Sequence, residues 1–351
     1  MKHILVTGGA GFIGSHTCVE LLEKKYNITI VDSFINSSPV SIDKVKKIVN
    51  KSKFYLNNHI ELIEGDIRNK SFLENLFHNN KNKGNSFDAV IHFAGLKSIK
   101  ESILNPSDYW FTNVIGTFNL VKAMEENYCH TLIFSSSASV YKVLKDGKYI
   151  ENSNILPDNP YGETKATVEK FLKNIFNSDN KKWKIGCIRY FNPIGAHESG
   201  LIGENPQINH NNIFPLINNV AIGRAEKLNI FGKDWPTKDG TPVRDYIHVM
   251  DVAQGHIKVL EYLESSEPQI LNLNLGTGIG TSILELIDTY KEVNKIQIPY
   301  DFVDRRIGDV ATLIADNSLA YSLLGWKPQK SLEQMCIDGW KWISRNPYGF
   351  D

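Results

Sequence analysis

The segment Asn-Pro-Tyr-Gly-Glu-Thr-Lys, residues 159–165, sets Tyr161 and Lys165 four positions apart at what reads as the mouth of a helix. Positions i and i+4 share one helix face. A phenol is a poor base at neutral pH because its pKa lies near 10, and a neighbouring ammonium favours the ionised form. Bringing that value to about 7 takes roughly 4 kcal/mol of such stabilisation. A plain helix start, with a turn residue, a proline and an exposed lysine, would leave the same residues. A third candidate lies upstream in "SSSASVY", residues 135–141, where Ser137 precedes Tyr161 by 24 positions. A serine-rich turn is usually only a turn. Together, a hydroxyl, a phenol and an ammonium form a set that takes a proton from an alcohol.

Alcohol oxidation needs a hydride acceptor, and the start of the chain offers a place for one. "VTGGAGFIG" carries Gly8, Gly11 and Gly14 between a strand pattern and a helix pattern. Small residues there let the backbone approach a pyrophosphate, which meets free amides at the helix N-terminus. Asp32 ends the second strand pattern, eighteen positions past Gly14. A carboxylate in that place accepts from an adenosine ribose and repels a 2′-phosphate, so NAD is expected rather than NADP. A strand-end cap alone would not explain its pairing with the glycines. Asp66 in "GDI" and Lys97 in "HFAGLKS" close the next two strands along the same crevice, where they would meet the adenine and the pyrophosphate or ribose. Taken singly, each is more often only a polar strand end.

The elements that must position these groups are legible as alternation. Apolar runs at 3–8, 27–32, 60–66, 88–95, 130–137 and 183–192 read as strands buried on both faces. Helix patterns at 12–25, 71–79, 107–127 and 161–176 lie between them, the last with Val168, Phe171, Leu172 and Ile175 on one face. This predicts an α/β fold with a doubly wound parallel sheet of Rossmann type over residues 1–190. A smaller mixed α/β substrate lobe is expected over 191–351, with helices near 249–264, 282–293 and 332–344 and a strand at 270–275; the boundary could be discontinuous. The polar stretches 50–58, 78–86, 203–212 and 232–242 read as loops.

Lys+Arg and Asp+Glu both number 39, so no basic excess is available for a nucleic acid. Cys18, Cys129, Cys187 and Cys336 lack metal-site spacing and read as thiols of a cytoplasmic protein, with no metal expected. No apolar run reaches the roughly 18 residues of a membrane span, and no partner membrane is expected.

On the glycine triplet with Ser137, Tyr161 and Lys165, the chain resembles the extended short-chain dehydrogenase/reductase family. "RYFNPIGAH", "VRDYIHVMDVA", "NLGTG" and "RRIGD" extend the resemblance to about Tyr348 and narrow it to a branch that acts on UDP-sugars. The resemblance implies interconversion of UDP-glucose and UDP-galactose. Tyr161 takes the proton of the sugar 4-hydroxyl, the C4 hydride passes to bound NAD, and the keto sugar turns over before the hydride returns. Ser137 would bond the 4-oxygen and Lys165 the nicotinamide ribose. Matched residue by residue, Phe12, Ile13, Asn36, Ser37, Ile67, Phe93, Ala94, Gly95, Asn113 and Phe191 would join the glycines, Asp32, Asp66 and Lys97 around the cofactor. Lys97, Ser137, Tyr161, Asn192, Asn212, Ile213, Asn229, Phe231, Arg244, Arg306 and Asp309 would hold the UDP-sugar. Guanidinium forks suit a diphosphate.

The resemblance also implies a size gate three residues past Asp309. Thr312 is small there, which leaves room for the 2-acetamido group of UDP-GlcNAc and UDP-GalNAc; a register slip of one would put Ala311 or Leu313 in that place. It further implies a homodimer through the helices at 107–127 and 161–176, with Trp110 and Phe118 on the packing face unless they are core aromatics. Lys142 stands where a glycine usually follows "SVY", and the segment from there to Pro160 is one residue short of the bacterial pattern. Two other readings share the fold. A nucleotide-sugar 4,6-dehydratase carries Asp-Glu directly after its hydroxyl residue, where this chain has Ala138-Ser139. A non-enzymatic NAD-sensing module usually lacks the Tyr/Lys pair.

Overall fold

The computed structural model describes residues 1–51, 59–144, 147–205, 212–306 and 309–350. Parts of the polar stretches 50–58 and 203–212, and Ile307 and Gly308 of "RRIGD", lie outside the described residues.

The described strands are β1 (His3–Thr7), β2 (Asn27–Asp32), β3 (Ile60–Glu64), β4 (Ala89–His92), β5 (Thr131–Ser135), β6 (Lys148–Tyr149), β7 (Lys184–Tyr190), β8 (Asn192–Ile194), β9 (Leu228–Phe231), β10 (Val243–Arg244), β11 (Tyr246–His248), β12 (Gln269–Leu275), β13 (Thr281–Ser282), β14 (Tyr300–Val303) and β15 (Thr312–Ala315). The helices are α1 (Phe12–Glu23), α2 (Val40–Lys51), α3 (Lys70–Asn82), α4 (Ile99–Leu104), α5 (Pro106–Tyr109), α6 (Gly116–Glu126), α7 (Pro160–Ser178), α8 (Ile213–Ala221), α9 (Val249–Ser265), α10 (Ile283–Asn294), α11 (Ser318–Leu324) and α12 (Leu332–Arg345).

Seven strands form one sheet in the order β12-β7-β5-β4-β1-β2-β3. From β3 to β7 the pairings are parallel; Leu5 lies between Thr29 of β2 and Val90 of β4. The winding reverses between β1 and β4, which is where an open α/β sheet leaves its ligand crevice. β1 and β4 are fully buried, as their unbroken apolar runs require. Helices cover the sheet through a core that includes Leu5, Val31, Leu73, Phe77, Leu120, Phe134, Leu172 and Trp183.

The chain does not change units at one point. The larger unit comprises Met1–Val140, Ile155–Arg189 and Ala253–Leu273, and the smaller comprises Tyr141–Asn154, Tyr190–Val252 and Asn274–Asp351. Most of α9 and β12, expected in the smaller lobe, therefore belong to the Rossmann sheet. Packing explains why: a Cβ on Gly186 of β7 would stand 2.6 Å from Val259, and Val259, Leu260 and Leu263 are fully buried. α9 covers β7 as the other helices cover their strands.

Two helices also differ from expectation. α3 runs through Asn82, into the stretch read as a loop, because Leu76 and Phe77 are buried and the buried Asn80 side chain donates to Leu76 O at 2.9 Å. The single helix expected at 107–127 is α5, then a π-helical segment Trp110–Ile115, then α6.

In the smaller unit β13-β10-β15-β6 form a four-stranded sheet, with two-stranded pairs β11-β8 and β14-β9 beside it. Its core includes Phe214, Ile217, Leu286, Ile287, Tyr290 and Cys336.

Candidate active site

β1 delivers the chain to Gly8, whose amide donates to Val31 O at 2.7 Å and whose φ is +72°. A Cβ there would stand 2.5 Å from the Ala94 amide nitrogen, and one on Gly14 would stand 2.4 Å from Gly8 O. Protein packing alone demands both glycines. Gly11 is different. It caps α1 with an ordinary φ of −73°, and the one atom an added Cβ would approach within 4 Å is Gly8 O, at 3.3 Å. The fold asks for glycine less strongly there than at Gly8 or Gly14, whereas a pyrophosphate over the first turn of α1 would ask for it. That turn has no side-chain cap and no acidic residue, so its amides and its positive dipole end are left to a ligand.

Asp32 holds this loop from below. One carboxylate oxygen accepts the Ala10 amide at 2.9 Å; the other accepts the Phe34 amide at 3.0 Å and the Ser37 hydroxyl at 2.7 Å. Ser37 is thus buried against Asp32, while Asn36 is exposed. Asp66 accepts from Arg68 Nε and Nη2, which holds its carboxyl below the usual range. Ile67 is buried against Gly116, and Phe93 lies 4.8 Å from the His256 ring. Phe12 and Ile13 are half-buried at the start of α1, and Lys97 is exposed after β4.

Ser137, Tyr161 and Lys165, the candidates for alcohol oxidation, all lie within the same unit. Asn159 caps α7 by accepting the Gly162 amide at 2.9 Å, with Pro160 at the first helical position. A Cβ on Gly162 would stand 2.4 Å from Ser139 O, so the helix start rests directly on the turn Ala138–Val140 that follows Ser137. This contact brings the serine and the Tyr161/Lys165 face together. Ser137 Oγ accepts the Ser139 amide at 3.1 Å, which leaves its own proton to donate. Lys165 donates from Nζ to Ser135 O at 2.8 Å and lies 4.8 Å from the Phe134 ring and 6.0 Å from the Tyr161 ring. Tyr161 and Lys165 are both buried. Burial lowers the Lys165 pKa to about 8, with Glu169 acting in the opposite direction. His92, between Thr7 and Thr117, is pushed down to about 3 by burial and by Lys165, so it stays neutral.

Asn113, matched to the cofactor set, is held by bonds within the fold. It accepts the Leu96 amide at 2.8 Å and donates to Leu96 O and to Thr164 Oγ1, both at 3.0 Å. The π-helical segment puts it there, and a Cβ on Gly95 would stand 2.9 Å from its oxygen. Asn113 thereby ties the loop after β4 to α7.

The smaller unit gathers the phosphate and uridine candidates. Arg244 donates from Nη1 to Val243 O and Val310 O, at 2.9 and 2.8 Å, and from Nη2 to Asp309 at 3.3 Å. Arg306 lies 4.2 Å from the Phe231 ring. Asn212 is the exposed cap of α8, which begins at Ile213, and Asn229 is exposed on β9. Phe191 is buried, its amide donating to Leu275 O at 3.2 Å. Asn192 pairs with Tyr246 and bonds Asp245 O through its backbone and side-chain nitrogens. Asp245 is a residue that the sequence did not single out. Its carboxylate accepts four bonds, from the Thr277 amide and hydroxyl and from the Gly278 and Ala315 amides. Thr312 faces Gly147: a Cβ on that glycine would stand 2.5 Å from Thr312 Cβ.

A family model described as GDP-mannose 4,6 dehydratase matches residues 5–338. A UDP-glucose 4-epimerase of Bacillus subtilis (strain 168) is 45% identical over 347 residues, 99% of this chain and 98% of that protein. The chain belongs to the UDP-glucose 4-epimerase family. Among solved structures, the UDP-glucose 4-epimerase from Bifidobacterium longum in complex with NAD+ and UDP is similar at a TM-score of 0.91 and 40% identity, over 99% of this chain and 100% of that one. The UDP-Glc/GlcNAc 4-epimerase from Campylobacter jejuni is similar at 0.82 and 31%, over 98% and 100%. These epimerases match the whole length, so both units are family features. The family is of the extended short-chain dehydrogenase/reductase type. Among the described residues no cluster of three or more His, Cys, Asp or Glu could hold a metal, and no helix is long and apolar enough to cross a membrane.

Proposed function

We propose that this protein interconverts UDP-glucose and UDP-galactose by transient oxidation at sugar C4, using bound NAD. The observation that carries this reading is the joint assembly of Ser137, Tyr161 and Lys165 at the end of β5 and the start of α7, in the unit that holds the glycine cradle. Gly8, Gly11, Gly14 and Asp32 would hold the dinucleotide, which when bound accepts the C4 hydride and gives it back. Tyr161 takes the proton of the 4-hydroxyl and returns it. Lys165, fixed by Ser135 O, supports the phenolate and reaches the nicotinamide ribose. Ser137 donates to the 4-oxygen. Arg244, Arg306 and Asp309 would hold the UDP moiety, with Phe231 near the uracil.

A 4,6-dehydratase would share the first oxidation, and the matching family model carries that description. Ala138-Ser139 supply neither the acid nor the base for loss of water. The test is to incubate the purified protein with UDP-galactose, adding no NAD. UDP-glucose without a stable keto product supports the reading; a 4-keto-6-deoxy sugar, or no turnover, overturns it. We also infer that UDP-GlcNAc and UDP-GalNAc are substrates, supported by the small Thr312 and by the likeness to a UDP-Glc/GlcNAc epimerase. The protein would act as a homodimer in the cytoplasm, with its four buried cysteines as free thiols.

A further inference from the structure

We propose that the buried Glu169–Arg189 ion pair is a positioning device that holds the serine turn and Lys165 in register for the proton transfer. This rests on the roles just assigned to Ser137, Tyr161 and Lys165. Glu169 follows Lys165 on α7 at the same four-residue interval by which Lys165 follows Tyr161. All three are buried, so α7 presents phenol, ammonium and carboxylate in one row.

The carboxylate is held from two directions. Arg189 on β7 donates from Nε to one oxygen at 2.9 Å and from Nη2 to the other at 2.6 Å, a two-point fork. Ser136 donates its hydroxyl to the first oxygen at 2.6 Å. Ser136 is the residue between Ser135, whose carbonyl takes the Lys165 ammonium, and Ser137 itself. Its amide donates to Ile188 O at 2.8 Å, so the same residue is tied to β7 through its backbone and to α7 through its side chain. The position of Ser137 relative to Tyr161 is thereby set by a bridge that neither residue makes.

The pair also sets the charge environment. Lys165 faces His92 from β4, which is neutral, and Tyr161 and Glu169 on its own helix. Glu169 faces Arg189 and the buried, un-ionised Cys187 on β7. Tyr109, from α5, lies near Tyr161, and burial keeps its phenol un-ionised. Glu169 is thus the nearby negative charge that opposes deprotonation of the buried ammonium. Removing it would leave Lys165 and Arg189 as two buried cations.

The test compares the parent with Glu169→Gln, Glu169→Gln/Arg189→Met and Ser136→Ala, each isolated with its NAD. The double variant removes both charges and is expected to fold even where the single one does not, since replacing a whole buried ion pair is far better tolerated than breaking it. We expect kcat for UDP-galactose to fall roughly 10- to 100-fold in both Glu169 variants. KM should change little, because the UDP-holding groups are elsewhere. The alkaline limb of the kcat profile should move to lower pH in Glu169→Gln, because the Lys165 proton is lost earlier, and should move less in the double variant, where the Arg189 cation leaves as well. Ser136→Ala, which keeps the charges, should lower kcat without moving the limb. A folded double variant with the parent's kcat overturns the proposal, as does a folded Glu169→Gln protein with the parent's pH profile or a Ser136→Ala protein with unchanged kcat. Tyr161→Phe runs in parallel. If it keeps turnover, the base assignment fails and this inference with it; if it is inactive while the Glu169 variants match the parent, only this inference fails.

Discussion

At the scale of single residues, the site turns on a lysine that is nearly out of water. An exposed lysine holds its proton to about pH 10.4, whereas burial brings Lys165 to about 8. As pH rises the folded protein therefore releases this proton first. The ammonium proposed to support the Tyr161 phenolate is present below about pH 8 and lost above it, so kcat is expected to decline through that value in a pH–rate profile. Stability follows the opposite sign. Between about pH 8 and 10.4 the unfolded chain binds more protons at this position, so this group's contribution to stability rises with pH, which denaturant titrations at fixed pH would read. Tyr161→Phe removes the proposed base and keeps the ring. Its kcat is expected to fall by about 10²–10⁴-fold, with NAD still released on denaturation. Tyr161, Lys165 and Ser137 were legible because reactive side chains at fixed spacing have few bland uses. Asp245 and Glu169 were not. A carboxylate in a sequence looks the same whether it meets water or, as these two do, four donors or a buried arginine fork, and only the assembled sheet decides which.

At the scale of elements, the strands of the Rossmann sheet were readable because burial on both faces leaves continuous apolar runs. Helix limits were less so. α3 outlasts its apolar pattern because Asn80 is buried by bonding to its own helix, and a π-helical segment interrupts 107–127 without any proline or glycine at its start to announce it. The start of α1 gives a sharp test. Gly11→Ala meets only Gly8 O, at 3.3 Å, which a shift of a few tenths of an ångström relieves, so thermal stability in the absence of NAD should fall only slightly below that of the parent. The added methyl would stand where the pyrophosphate approaches the amides, so the purified variant should carry clearly less NAD, measured after denaturation. An unchanged NAD content would remove the ligand reason for that glycine. β15 gives another. Thr312 packs on Gly147, in the short segment that also contains Lys142. A tyrosine at 312 has to push into that backbone or into the space beside it. Thr312→Tyr is expected to lose turnover of UDP-GlcNAc while keeping most turnover of UDP-galactose. Equal loss of both would show a displaced loop, and no loss of either would place the gate elsewhere.

At the scale of the whole molecule, local periodicity marked the helix Val249–Ser265 and the strand Gln269–Leu275 but not the unit they join, because membership depends on which face of β7 needs covering. The same limit applies to the face a second copy would use. Around α4, α5 and the π-helical segment, Ile99, Ile103, Leu104, Trp110, Phe111 and Ile115 are all exposed, Leu104 by 67% and Phe111 by 52%. Pro106, Ser107, Trp110, Phe111, Val114 and Ile115 line a groove there. Phe118, expected on the same face as Trp110, is half-buried and packs on the half-buried Phe171 of α7 with ring centroids 4.0 Å apart, against the rim of the core. Exposed apolar residues grouped in this way fit the association surface proposed for the homodimer. In a two-fold dimer each copy contributes the same patch, so one substitution acts twice. Light scattering of the parent is expected to give about twice the 39.7 kDa of one chain. Phe111→Glu would set a carboxylate into that apolar patch on both copies, where it loses water, while Arg68, 5.9 Å from that ring, is already held by Asp66. It is expected to shift the mass toward one chain at micromolar concentration, with the far-ultraviolet dichroism of the folded unit kept. A variant that stays at twice the mass would move the interface away from this face, and a parent that is already monomeric would remove the dimer.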